Sequence, residues 1–296
     1  MNRDGQGILL VFASAVSFGF MPIFARFAYS QGVSVTEFLF IRFLFGFLML
    51  GTLLAASRKL FLPKRMDLLA LIVLGALCYF LESTFFFSAL LFSPVAIVAL
   101  VFYIYPAFVT FGAYLLGWER VSRRLAGVII VALIGLVLVA NPFGTVIGWG
   151  VFLALASAIT YTTYVLGGSK VLRRVRGEVA SFYVMGAGSV SFGIAGTLTG
   201  SIRLTYNVSA WFWLLTITAL CTVLAVAGFF MGLSRIGPSR ASLISLIEPV
   251  TSVLLSLAIF GNKLTTSQWL GGLMILASAA FTTIYGKGLP PESALK

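Results

Sequence analysis

The sequence contains no histidine and only two cysteines among 296 residues, and these absences remove several classes of chemistry. Without imidazole or a thiol cluster there is no ligand set for zinc, and no metal centre is expected. Cys78 and Cys221 each lie inside an apolar run, where thiol oxidation has little place, so they define neither a disulfide framework nor a redox compartment. A Walker-type or glycine-rich nucleotide loop is missing, as is a His/Glu metal motif, which argues against ATP-driven transport and intramembrane proteolysis. With no catalytic constellation left, neither enzymatic activity nor a cofactor is expected. Charge is scarce too: Asp, Glu, Lys and Arg together make 9% of the chain, and only 8 residues are acidic. No stretch is long, polar or repetitive enough to form a second domain, and a short Pro290-Pro291 tail ends the chain.

What is present is apolar surface. A chain that is 60% hydrophobic with a mean hydropathy of +1.08 cannot bury that much in one soluble core, which predicts an all-α integral membrane protein. Crossing takes about 20 apolar residues per helix. Ten runs qualify: 7–28, 35–56, 67–91, 95–116, 124–140, 147–169, 178–200, 210–234, 239–260 and 266–285. The first is longer than a signal-peptide core and has a counterpart in the sixth, so it is expected to be retained.

The net charge of +12 is explained by where the cations fall. The N-terminus, the even-numbered loops and the C-terminus hold 16 of the 20, from Arg3 through Arg58, Lys59, Arg123, Arg173 and Arg240 to Lys296. The other side holds Arg26, Arg203 and Lys263, and Arg42 stands within the second run. The positive-inside rule then places both termini in the cytoplasm. No basic run interleaves with exposed aromatics, so nucleic acid is not an expected partner.

The runs are organised as a repeat. Phe12-Ala13-Ser14-Ala15-Val16-Ser17-Phe18 recurs 143 positions later as Leu155-Ala156-Ser157-Ala158-Ile159-Thr160-Tyr161. Cys78 and Cys221 share that offset, as do Pro106 and Pro249, while Gly117 and Gly127 recur at 144 as Gly261 and Gly271. The chain is therefore read as two five-helix units, 3–144 and 147–287, dividing it into 1–144 and 145–296. An odd number of crossings forces the second unit to insert upside down, the arrangement of many transporters.

The motifs within this frame are Phe102-Tyr103-Ile104-Tyr105-Pro106 and Gly117-Trp118-Glu119-Arg120, with Gly237-Pro238, Glu248-Pro249-Val250 and Gln268-Trp269-Leu270-Gly271 in the second half. With them the chain resembles, over its whole length, the ten-helix EamA-type exporters of the drug/metabolite transporter superfamily. Its aromatic-rich first half is similar to the YddG-type aromatic amino acid exporters. It departs from the family's glycine-glutamate ending at Gly261-Asn262-Lys263, so symmetry assigns no role to Glu119. The resemblance implies a basket of helices around a central cavity, lined by the third, fourth, eighth and ninth helices and parts of the first and sixth. It also implies a bacterial inner-membrane location.

Fold alone names no substrate, so the candidate site comes from polar residues stranded at membrane depth. A charge there costs about 2.5–3.5 kcal/mol on insertion scales, which makes Glu82, Glu248 and Arg42 the leading candidates. Either Arg42 pairs with one of the glutamates and pins two helices, or a glutamate held out of water carries a coupling proton. Helical spacing sets Tyr79 and Phe86 beside Glu82, with Ser83 adjacent. Tyr103, Tyr105, Tyr161 and Tyr164 add rings whose hydroxyls need partners away from lipid. Ser245, Glu248 and Ser252 form a polar stripe, although serines there also serve close helix packing. Gly127, Gly135, Gly271, Gly272 and Ala279 are assigned to packing, and Pro106 and Pro249 to gating bends or static kinks.

An ammonium suits a carboxylate or an aromatic face, and a substrate carboxylate suits hydroxyls, so this lining predicts export of amino acids and related small metabolites by alternating access. The alternatives are export of drugs or lipophilic cations by the same fold, or a channel-like facilitator. Multiply charged anions fit poorly with two acids and one arginine. The expected partners are the substrate and the lipid bilayer; the sequence sets no oligomeric state, and a monomer would suffice.

Overall fold

A computed structural model describes residues 3–89, 91–93, 95–119, 122–140, 148–260 and 265–285. The boundary expected at 144–147, the Gly261-Asn262-Lys263 segment, Arg120, Lys287 and Lys296 lie outside the described residues. The first half comprises α1 (Arg3–Gly19), α2 (Met21–Ser30), α3 (Val35–Ala56), α4 (Arg65–Val73), a π-helical turn (Leu74–Tyr79), α5 (Phe80–Ala89), α6 (Val95–Phe102), α7 (Tyr105–Leu115) and α8 (Arg123–Ala140). The second half comprises α9 (Trp149–Val171), α10 (Gly177–Leu198), α11 (Val208–Thr218), a second π-helical turn (Ala219–Leu224), α12 (Ala225–Ile236), α13 (Pro238–Ser245), α14 (Ile247–Phe260) and α15 (Thr266–Tyr285). No strand occurs among the described residues.

Eight helical runs among the described residues are long and apolar enough to cross a bilayer. The sequence suggested ten; the other two are α8 and α15, of 18 and 20 residues, which pack along one another. Large apolar side chains cover the outside, with Val208 86% and Leu198 82% exposed, an arrangement that suits lipid as solvent and not water.

Several expected runs are broken. The first splits at Phe20, where Pro22 stands in the opening turn of α2. The fourth splits at Tyr103 and Ile104, just before Pro106, and the ninth at Leu246, just before Pro249. Proline has no N–H and clashes with the preceding turn, so each sits where a new helix can begin. The third and eighth runs each pass through a π-turn, which ends at Tyr79 and at Leu224.

The two halves pack reciprocally: α3 lies against α10, α8 against α15, and the pairing of α1 with α12 matches that of α9 with α5. Equivalent atoms meet in the last two pairs. The Ser14 hydroxyl donates to the Ala225 carbonyl at 2.7 Å and the Ser157 hydroxyl to the Glu82 carbonyl at 3.0 Å, both residues being shifted by 143. Gly7 meets Ile236 and Gly232 as Gly150 meets Ser93 and Ala89, leaving no room for a Cβ in either crossing. Gly135 and Gly271 likewise bring α8 and α15 into backbone contact, so both are packing glycines. Gly127 is not, because nothing lies within 4 Å of where its Cβ would stand.

Contacts at the two ends group the loops. At one end Arg174 pairs with Asp67 at 2.6 Å, Arg240 with Asp4 at 3.2 Å, and the Tyr183 hydroxyl donates to the Phe61 carbonyl at 3.2 Å. There the Ser239 N–H also donates to Glu119 at 3.4 Å, at the start of α13. At the other end Ser34 caps α3 by accepting the Glu37 N–H, while the buried Glu37 carboxylate accepts the Arg203 and Leu204 N–H groups at 2.9 and 2.7 Å. Tyr206 also donates to Glu37; burial first, then the adjacent carboxylate, pushes its phenol up to about 12 and keeps that proton in place.

Candidate functional site

The broken elements converge on one cavity of about 70 Å³. A water needs roughly 10–15 Å³ by this kind of measure, so there is room for only a few waters. Glu82 and Ser83 enter from α5, Glu248 from α14, Arg42 from α3, and Tyr79 from the end of the first π-turn. Tyr103 stands in the break before α7 and Tyr105 directly after it, and Tyr161 projects from α9. The π-turn carries an extra residue per turn, yet Tyr79, Glu82 and Phe86 still share the cavity face.

The charged groups are buried and indirectly arranged. Glu82, 8% exposed, accepts from the Ser83 hydroxyl at 2.8 Å, and its backbone carbonyl is held by Ser157. Glu248 faces the Tyr103 phenol across the break. Arg42 is 2% exposed. Its Nε donates to Thr222 Oγ1 at 2.7 Å, its Nη2 to the Tyr79 hydroxyl at 3.0 Å, and its Nη1 to Met21 Sδ at 2.9 Å. Of the two alternatives the sequence leaves open, a direct ion pair of Arg42 with Glu82 or Glu248 is not formed in this structure. Hydroxyls on the two π-helical segments occupy two of its donors and the Met21 thioether a third.

The rings form a connected wall. Tyr161 lies edge-on to Tyr105 at 4.7 Å and stacks on Tyr164 at 5.6 Å, and Tyr164 meets Tyr79 edge-on at 5.3 Å. Phe86 and Phe102, at 5.1 Å, close another side. Edge-to-face and offset pairs of this kind are favourable beyond their buried area.

Two predicted residues, Tyr164 and Ser245, are not in contact with the cavity itself. Tyr164 stacks on Phe230 at 5.3 Å, and its buried hydroxyl has no hydrogen-bond partner among the described residues. Ser245 donates to the Ala241 carbonyl at 3.0 Å, and Tyr105 faces its hydroxyl from the cavity side. Ser252 donates at 2.9 Å to the Gly19 carbonyl, at the end of α1 where the helix breaks. Its role is local backbone satisfaction.

Sequence reasoning missed Phe18, Met21, Phe87 and Phe102 in the lining, and Thr222 behind it. Met21 was detectable through Gly19 and Pro22, which mark the first break. Thr222 was detectable through the repeat, since it stands 143 positions after Tyr79. No group of three or more His, Cys, Asp or Glu able to hold a metal exists among the described residues.

The chain matches the EamA-like transporter family twice, at residues 5–141 and 148–284. It is 29% identical to an uncharacterized transporter of Archaeoglobus fulgidus, over 93% of this chain and 94% of that one. It is also 29% identical to the uncharacterized inner membrane transporter YicL of Salmonella typhimurium, over 96% and 97% of the two chains. A shorter match, 33% over 82 residues, relates 28% of the chain to 24% of a solute carrier family 35 member B1 homolog of Drosophila melanogaster. A solved crystal structure superposes with a TM-score of 0.81 at 22% identity, covering 96% of this chain and all of the other, which supports the fold. Two matches to one family model, spanning nearly all of a chain that is helical and strand-free among its described residues and whose halves pack reciprocally around a cavity holding two glutamates and an arginine, lead to one conclusion: the protein belongs to the EamA-like transporter family and is a multi-pass membrane transporter.

Proposed function

We propose that the protein exports amino acids, including aromatic and other neutral ones, together with related small metabolites, by alternating access. The observation that carries this reading is the composition of the cavity: two carboxyl groups and a guanidinium enclosed by phenol rings. An amino acid presents one group of each charge and, when aromatic, a flat apolar face. The cavity, of about 70 Å³, lies against the breaks before α2, α7 and α14, the places where movement would widen it for substrate.

In this reading the halves are inverted five-crossing units, with both termini in the cytoplasm of a bacterial cell. The inner membrane in the name of the Salmonella relative and the basic loops gathered at one end support that placement. The test is counterflow in proteoliposomes with a panel of labelled amino acids, with and without a pH gradient. Saturable exchange of at least one amino acid is expected; no exchange of any would sink the reading.

Export of lipophilic cations is a second reading, favoured by the excess of two carboxyl groups over one guanidinium. Stronger competition by cationic dyes than by amino acids would select it.

A further inference from the structure

We infer that Arg42 is the subsite for the substrate's carboxylate, and hence that the transported compound carries a free carboxylate; this rests on the amino acid reading above. A guanidinium offers five N–H donors in a planar fork that matches a carboxylate. Three contacts hold the Arg42 fork. Two are firm, to Thr222 and Tyr79, and they fix its plane. The third goes to the Met21 thioether, a weak acceptor that a carboxylate oxygen would readily displace.

The electrostatics point the same way. Neither Glu82 nor Glu248 lies within ion-pair distance of Arg42, so its direct partners are all neutral. A buried guanidinium without a direct counter-ion is costly, and an arriving carboxylate would relieve that cost. Arg42 and Met21 both border the cavity, so the displaced contact is where a ligand would enter. Glu82 and Glu248, on the cavity's other elements, are left for the ammonium. Met21 is the first residue of α2, directly after the break at Phe20, so exchanging its sulfur for a carboxylate frees the start of that helix. Occupancy of the site is thereby linked to a segment that can move.

The experiment compares an amino acid, its amide and the corresponding decarboxylated amine as competitors in counterflow, and as stabilisers of the purified wild-type protein against heat. The free acid should outcompete its amide by at least about tenfold, because a site built to bond a group rejects the analogue lacking it. Arg42→Lys should keep a reduced preference, and in Arg42→Gln the acid-to-amide ratio should fall to about one. The ratio is independent of expression level. If Arg42→Gln does not fold, the wild-type and Arg42→Lys ratios decide. A wild-type ratio near one, or an unchanged ratio in Arg42→Gln, overturns the assignment.

If no amino acid exchanges, the amino acid reading fails on its own, and 3-phenylpropanoate is used as the probe. Thermal stabilisation by it that Arg42→Gln abolishes sustains the carboxylate subsite. Absence of stabilisation, or stabilisation that survives the substitution, overturns it.

Discussion

Glu82 and Glu248 reach one cavity from different halves but have unlike neighbours: Ser83 and the Ser157-held backbone for the first, the Tyr103 phenol for the second. Their roles are therefore expected to separate. If one glutamate carries a coupling proton and the other holds the ammonium, one of Glu82→Gln and Glu248→Gln should abolish stimulation of transport by a pH gradient while leaving gradient-free exchange within about tenfold of wild type, and the other should lower exchange itself. With no histidine in the chain, a response between pH 5 and 8 has no imidazole to supply it. An unchanged pH response in both glutamine variants would remove proton coupling through these residues. These two acids, Arg42 and most of the tyrosines were legible because a charge or phenol inside an apolar run must avoid lipid. Tyr164 and Ser245 were misplaced because helical spacing gives a face but not a depth. Phe18 and Phe87 were invisible for the opposite reason, since an apolar residue looks the same in lipid, core or cavity.

Elements were legible wherever the apolar pattern was continuous and less so where it was interrupted. Pro106 and Pro249 were readable as bends, yet the helices break slightly earlier, at Tyr103-Ile104 and at Leu246, and the Phe20 break passed unseen within one hydrophobic run. The π-turns leave no mark in composition, because one inserted residue does not alter hydropathy. If the break before α7 moves during transport, Pro106→Ala should slow exchange several-fold without lowering thermal stability, whereas unchanged flux would make it a static kink. Packing of α8 on α15 gives a sharper forecast. A Cβ on Gly135 would meet the Gly271 carbonyl oxygen at 2.8 Å, so Gly135→Val should destabilise the protein by about 1–3 kcal/mol, seen as a lower melting temperature in detergent. Gly127→Ala, in open space, should be neutral or slightly stabilising.

For the whole molecule, the repeat was the most informative sequence signal, and the equivalent hydrogen bonds of Ser14 and Ser157 show how literally it is reproduced in packing. Those bonds support unequal chemistry, because the carbonyl held by Ser157 belongs to Glu82 and the one held by Ser14 to Ala225. Ser14→Ala and Ser157→Ala should therefore cost similar stability, about 0.6 kcal/mol each by the average for such bonds in membranes, while only Ser157→Ala lowers transport. Equal transport by the two variants would show that Glu82 tolerates displacement.

Arg42 carries this inequality to its limit. Its guanidinium joins Tyr79 to Thr222, two hydroxyls at corresponding places in the halves, while the position corresponding to Arg42 itself is Met185. Duplicating an ancestral unit yields two copies of every side chain, but a spot equidistant from both copies has room for one. Whichever copy claimed it released the other from that task, so the midpoint of a duplicated protein is where its copies must first diverge.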